Sequence, residues 1–137
     1  MKSLSLLITA LLVSALIGHA NASSAAPSFY CDMSALTPAE RTRHFDVLGP
    51  ALVAKRTVVR ELANGYEFEL PSDAETWQQL AEYLEGERRC CPFFDIDLRI
   101  APHHGPLRVR FTGRPGVKQF IEADAPDWIK PVTAVKP

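Results

Sequence analysis

Cysteine is scarce in this chain and spaced unhelpfully: there are three in 137 residues, with no C-x-x-C and no His-x-x-x-His. Those absences remove the usual local signatures of a zinc site or a dithiol oxidoreductase, so any site the thiols form has to be assembled by tertiary folding. No glycine-rich phosphate loop, Ser-His-Asp spacing or paired-carboxylate motif is present, which leaves no catalytic constellation and favours a non-enzymatic reading. Net charge is also lacking. Fifteen Lys and Arg against sixteen Asp and Glu give -1, a balance with no global attraction for nucleic acid or an anionic membrane. There is no internal repeat, low-complexity block or linker between domains.

The one long apolar run lies at the start. Leu4 to Gly18, after Met1-Lys2, is too short and wrongly flanked for a membrane span, and Ala20-Asn21-Ala22 fits small-x-small cleavage. Residues 1-22 therefore read as a signal peptide, with the mature chain starting at Ser23 and a cut near Ala26 as the alternative. No cysteine follows the run, so no stable membrane anchor is expected once the signal is removed. The protein is expected to be exported, periplasmic or secreted. Loss of Lys2 takes the net charge to -2, and the 115 residues that remain suffice for one domain with a modest core. Residues 23-30 read as a flexible lead, 31-123 as a single domain and 124-137 as an irregular tail.

Local signals divide the domain into seven elements. Thr37-Pro38-Ala39-Glu40 is a capping box opening a helix from Pro38 to about Leu48, which Gly49-Pro50 is expected to stop. Residues 50-56 fit either a helical turn or an extension of the next strand. Thr57 to Leu62 and Tyr66 to Leu70 flank Asn64-Gly65, a hairpin signal, and the alternation of Tyr66, Phe68 and Leu70 with Glu67 and Glu69 predicts one buried and one wet face. Ser72-Asp73-Ala74-Glu75 reads as a second capping box, starting a helix on which Trp77, Leu80, Ala81, Leu84 and Cys91 recur at helical spacing. Pro92 ends it. Phe94, Ile96, Leu98 and Ile100 form a half-buried strand that turns through Pro102 to Pro106 into Leu107, Val109 and Phe111, where Arg108 and Arg110 read as a solvated face. A short helix follows, from Val117 to about Ala123. The order α-β-β-α-β-β-α implies an α+β fold: a mainly antiparallel four-stranded sheet of two hairpins, with helices packed on one face.

Cys90 and Cys91 sit at the corner between the second long helix and the third strand, with Cys31 far upstream. A Cys90-Cys91 bridge is disfavoured, because neighbouring Cα atoms are about 3.8 Å apart and ordinary disulfides prefer about 4.4 to 6.8 Å. A bridge from Cys31 to Cys90 or Cys91 is the structural alternative, and it leaves one thiol spare, through which a homodimer is conceivable. The sharper reading gathers Cys31, Cys90 and Cys91 around a soft metal or metalloid ion, since polarisable thiolates favour zinc, copper(I) and softer ions. His44, His103, His104 and Glu87 are the additional ligand candidates. Three sulfurs meeting within about 4 Å, with an open fourth position, would favour the ion; one close pair with the third sulfur in apolar core would favour the cross-link. A thiol redox role is the third reading. Arg88 and Arg89 could lower a thiol pKa, although a helix C-terminus is the wrong end of the dipole for a thiolate.

Each additional candidate has a plainer role. His103-His104 fits a solvated turn, and His44 fits a surface or partly packed position. Glu87 interrupts an apolar helix face, which calls for pairing with an arginine such as Arg41 or Arg43, or for a place near the thiols.

The run Glu87-Arg88-Arg89-Cys90-Cys91-Pro92-Phe93-Phe94, together with Cys31, Gly65-Tyr66-Glu67-Phe68 and Thr112-Gly113-Arg114-Pro115-Gly116, resembles a small, poorly characterised bacterial family. Its pattern is an early Cys, a Gly-aromatic strand, E-x-x-C-C-P-F and T-G-x-x-G. The similarity spans Cys31 to Ala123. It implies soft-metal binding, because similar domains occur beside regulators of the mercury-responsive type; the signal segment is a departure from a mostly cytoplasmic family. The resulting expectation is an exported thiol protein that binds a soft metal or metalloid. The alternatives are a disulfide-stabilised structural or interaction module and a thiol redox protein.

Overall fold

A computed structural model describes residues 29-132, so the proposed signal peptide, residues 23-28 of the expected lead and the last five residues lie outside the described region. After a 3-10 turn at Met33–Ala35, α1 (Pro38–Arg41) runs through a π-helical segment (Thr42–Leu48) into α2 (Gly49–Lys55). The hairpin of β1 (Val58–Leu62) and β2 (Gly65–Leu70) comes next, then α3 (Ala74–Cys90) and the hairpin of β3 (Asp95–Ile100) and β4 (Leu107–Thr112). The helices α4 (Val117–Asp124) and α5 (Pro126–Ile129) close the chain. The sheet is antiparallel throughout, in the order β1-β2-β4-β3, and the fold is α+β as expected. No helix of the described residues is long and apolar enough to cross a membrane.

The first capping box forms as read: Thr37 N–H donates to Glu40 Oε2 at 2.7 Å while Glu40 N–H donates to Thr37 Oγ1 at 3.3 Å. The expected stop at Gly49-Pro50 does not occur, and the helical path continues to Lys55. A proline inside a helix lacks an N–H and crowds the carbonyl four residues back. Here the preceding segment is wound with π spacing, and Gly49 N–H reaches back to the His44 carbonyl. The wider turn lets the chain carry Pro50 without breaking.

Other expectations are corrected as well. Asp73, not Ser72, caps α3, accepting from Thr76 N–H at 2.9 Å. The buried stripe of α3 is Thr76, Leu80, Tyr83, Glu87 and Cys90, while Trp77 is 40% exposed; the face is rotated because Tyr83 and Gly86 turn toward the core. In β2 all six residues are buried. Glu67 and Glu69 are not on a wet face but under arginines from both neighbouring strands: Arg60 reaches both carboxylates at 2.7 Å, Arg110 reaches Glu67 at 2.6 Å and Arg108 reaches Glu69 at 2.8 Å. A central strand gives its carboxylates cationic neighbours on either side, which satisfies their burial.

The opposite sheet face carries Tyr66, Phe68, Leu70, Leu107, Val109 and Phe111, packed with Leu52, Leu80, Tyr83, Val117 and Ile121 of the helices. Trp128 joins this core through α5, so the first part of the expected irregular tail is helical and packed. β3 is an edge strand, and Leu98 and Ile100 stay exposed rather than half-buried. Gly65 opens β2 instead of sitting in the turn, since it pairs with Leu62 and leaves Ala63-Asn64 as the connection. A Cβ there would overlap the Phe111 carbonyl. Close strand approach therefore requires that glycine, not a positive φ.

Candidate thiol centre

α3 delivers the thiol pair. It ends as Pro92 prevents another turn, leaving Cys90 as the last helical residue and Cys91 as the cap, with φ -123° and ψ 62° and its N–H on the Glu87 carbonyl. That bend brings both side chains inward; Cys90 is 0% and Cys91 2% exposed. The segment Cys31 to Leu36 is tied across this helix end by several bonds. Asp32 N–H donates to the Cys90 carbonyl at 2.6 Å, and Arg89 donates to the Ala35 carbonyl at 2.6 Å and to Glu40 at 2.7 Å. Leu36 packs on Cys90 and Cys91, with Phe93 and Phe94 around them.

Cys31 and Cys91 form a disulfide, with Cα atoms 4.5 Å apart and a separation of 60 positions in sequence. Cys90 is the free thiol, and its Sγ lies 3.5 Å from Cys91 Sγ. All three sulfurs lie within 4.8 Å of one another. The arrangement satisfies part of each expectation, having one bonded pair and a third sulfur directly against it. That third sulfur does not face purely apolar core. Cys90 also belongs to a second group, in which His44, Glu87 and Cys90 place one ligand atom each within 4.8 Å of the others.

His44 is not at the surface. It is 3% exposed, its Nε2 shares a 3.0 Å hydrogen bond with Glu87 Oε1, and its ring lies flat on Tyr83 at 4.3 Å with Phe45 against its edge. The π segment aims the ring at α3, and Gly86 clears the space for it, because a Cβ at Gly86 would overlap the ring at Nδ1 and stand 2.8 Å from Cε1. Glu87 is thus held by His44 and not by an arginine: Arg41 donates to the Met33 carbonyl, and Arg43 forms a two-point pair with Glu82. Sequence reasoning missed this contact because the two residues lie 43 positions apart. The available signal was a polar pair on two apolar helix faces, with a glycine one position before the acid.

Burial, with the Glu87 carboxylate beside it, pushes the Cys90 thiol up to about 11. The charge of Arg89 lowers it, but by less than burial and Glu87 raise it; Arg88 pairs with Glu85 and Arg89 with Glu40. Tyr83 is likewise pushed well above its ordinary value by burial and by Glu87. His103 and His104 are not brought to the centre. They form the tip of the β3-β4 hairpin, both with φ 56°, and the His104 carbonyl accepts from Ser72. The thiols lie at the start of β3, the histidines beyond its far end.

Cys31, Cys91, His44 and Glu87 also contribute to the wall of a chamber of about 770 Å³, otherwise rich in aromatic side chains. Chemically, the centre offers a reducible cross-link, three sulfurs close enough to share one ion once reduced, and two further ligand atoms behind Cys90. No family model matches the chain, nor does any curated protein or solved structure.

Proposed function

We propose that the protein binds a soft metal or metalloid ion through Cys31, Cys90 and Cys91 when the cross-link is reduced, and that the Cys31–Cys91 disulfide is its resting form after export. The observation that carries this reading is the convergence of all three sulfurs of the chain within 4.8 Å. Three sulfurs held about 2.3 Å from a tetrahedral zinc ion stand about 3.8 Å apart, so only small side-chain shifts are needed. Cys90 already lies 3.5 Å from Cys91. Thiolates suit soft cations and trivalent metalloids, and Glu87 and His44, which group with Cys90 but not with Cys31 or Cys91, are the candidates for a fourth ligand.

Reduction comes first. A dithiol reductant gives two electrons and two protons to Cys31–Cys91, becoming a disulfide itself, and the protein gains two thiols. Ion binding then displaces the thiol protons to solvent. The disulfide supports a second reading, in which the bond only pins the Cys31 to Leu36 segment to the end of α3 and Cys90 is buried filler.

Titration with cadmium under anaerobic conditions separates the two, followed by the ultraviolet thiolate-to-metal charge-transfer band. The reduced protein is expected to bind one ion, the oxidised protein none, and Cys90→Ser to bind at least tenfold more weakly. Reduced, folded protein that binds no cadmium, or a Cys90→Ser variant of unchanged affinity, would leave the cross-link as the sole role of the cysteines.

A further inference from the structure

A chamber of about 770 Å³ is far larger than an ion needs and falls in the range of small-molecule sites. Its wall includes Phe45, Phe94, Phe120 and Trp128. It also includes Arg56, which is only 8% exposed. Arg56 donates from Nε to the Val53 carbonyl at 3.0 Å and from Nη1 to the carbonyls of Trp128 and Lys130. Its Nη2 has no hydrogen-bond partner among the described residues, and none of their carboxylates forms a salt bridge with it.

A buried guanidinium without a carboxylate is unusual, because desolvation of the charge is offset only in part by neutral carbonyls. The other charged groups on the wall are accounted for. Lys130 is bonded to Asp127, and Glu87 is held by His44. Asp124 and Asp127 are both exposed at the rim. Burial lowers the Arg56 pKa, and the charge of Asp127, which forms no salt bridge with it, opposes that shift; the group stays cationic at any physiological pH.

We propose that this chamber binds a small apolar organic acid, its carboxylate on Arg56 and its hydrocarbon or aromatic body against the aromatic wall. The carboxylate supplies the anion that Arg56 lacks, and an aromatic body stacks on rings the protein already presents. The site goes beyond the ion-binding reading and does not depend on it, since it needs neither free thiols nor metal.

The test uses the mature, cross-linked, metal-free protein and a matched pair of probes, 4-phenylbutyrate and 4-phenylbutanol, by titration calorimetry and Trp fluorescence. The acid is expected to bind at least tenfold more tightly than the alcohol, and Arg56→Gln to abolish that preference. Arg56 also supports the α5 backbone, so a second variant guards against misfolding: Ala54→Trp, on an exposed position at the chamber wall, should block both probes while leaving the unfolding midpoint unchanged. Equal affinity for acid and alcohol, binding of neither, as expected if another segment of the chain fills the chamber, or undiminished acid binding in Ala54→Trp would overturn the proposal.

Discussion

Replacing Gly86 by alanine should destabilise the protein, although alanine is the better helix former. In the interior of α3 the exchange would gain about 0.8 to 1 kcal/mol of helix propensity. The new Cβ, however, would overlap His44 at Nδ1 and stand 2.8 Å from Cε1. The ring has little room to retreat, being stacked on Tyr83 at 4.3 Å, edged by Phe45 at 4.6 Å and bonded to Glu87 at 3.0 Å. Overpacking of this kind costs about 1 to 3 kcal/mol; about 2 kcal/mol, the middle of that range, outweighs the propensity gain and leaves a net loss of about 1 kcal/mol. A double-mutant cycle in urea isolates the clash: in a His44→Ala background Gly86→Ala should become stabilising by about 1 kcal/mol, giving a coupling energy of about 2 kcal/mol. If Gly86→Ala stabilises the wild type as much as it stabilises His44→Ala, the histidine does not occupy the space beside Gly86 and the buried polar pair is wrongly placed.

The remaining predictions concern the thiols and the sheet. Opening a cross-link that spans 60 positions should cost about 4 kcal/mol on the chain-entropy model, so Cys31→Ser and Cys91→Ser should lose most of the urea stability that Cys90→Ser retains, and reductant should lower only the wild type and Cys90→Ser. Because the native state pushes the Cys90 thiol from 9.0 up to about 11, alkylation at pH 8 should be at least a hundredfold slower in native than in denatured protein, read by mass. The same proton is held more tightly folded than unfolded, so its stabilising contribution is complete below pH 9 and is lost as pH rises toward 11. On the sheet, the hydrogen bond from Arg60, together with that from Arg108 and against the opposing effect of burial, holds Glu69 below the ordinary carboxylate value of 4.5. Its contribution is present above pH 4.5 and lost as pH falls, and Glu69→Gln should flatten the acid limb of a stability-pH curve.

What could be read from the residues was local. The Thr37–Glu40 box, the alternation in β4 and the stop at Pro92 each depend on neighbours in sequence, and each appears in the fold. The misread features depend on distant partners. Glu67 and Glu69 looked solvated because only their own strand was in view, while the arginines that cover them come from β1 and β4. Pro50 looked like a stop because π winding is set by packing against α3 and not by a propensity. Bringing Cys31 to Cys91 was among the alternatives the cysteine count allowed, but choosing Cys91 over Cys90 required the bend at the end of α3. Nothing local could join His44 to Glu87, or gather Arg56 and α5 onto one chamber.

The ion-binding account is tested most directly by the native mass of the mature protein, recorded before and after reduction in the presence of one equivalent of cadmium, with thiols alkylated under denaturing conditions as a parallel count. The account predicts one reactive thiol and no bound ion before reduction, then three reactive thiols and one bound ion after it. Three reactive thiols in a folded protein carrying no ion would contradict it.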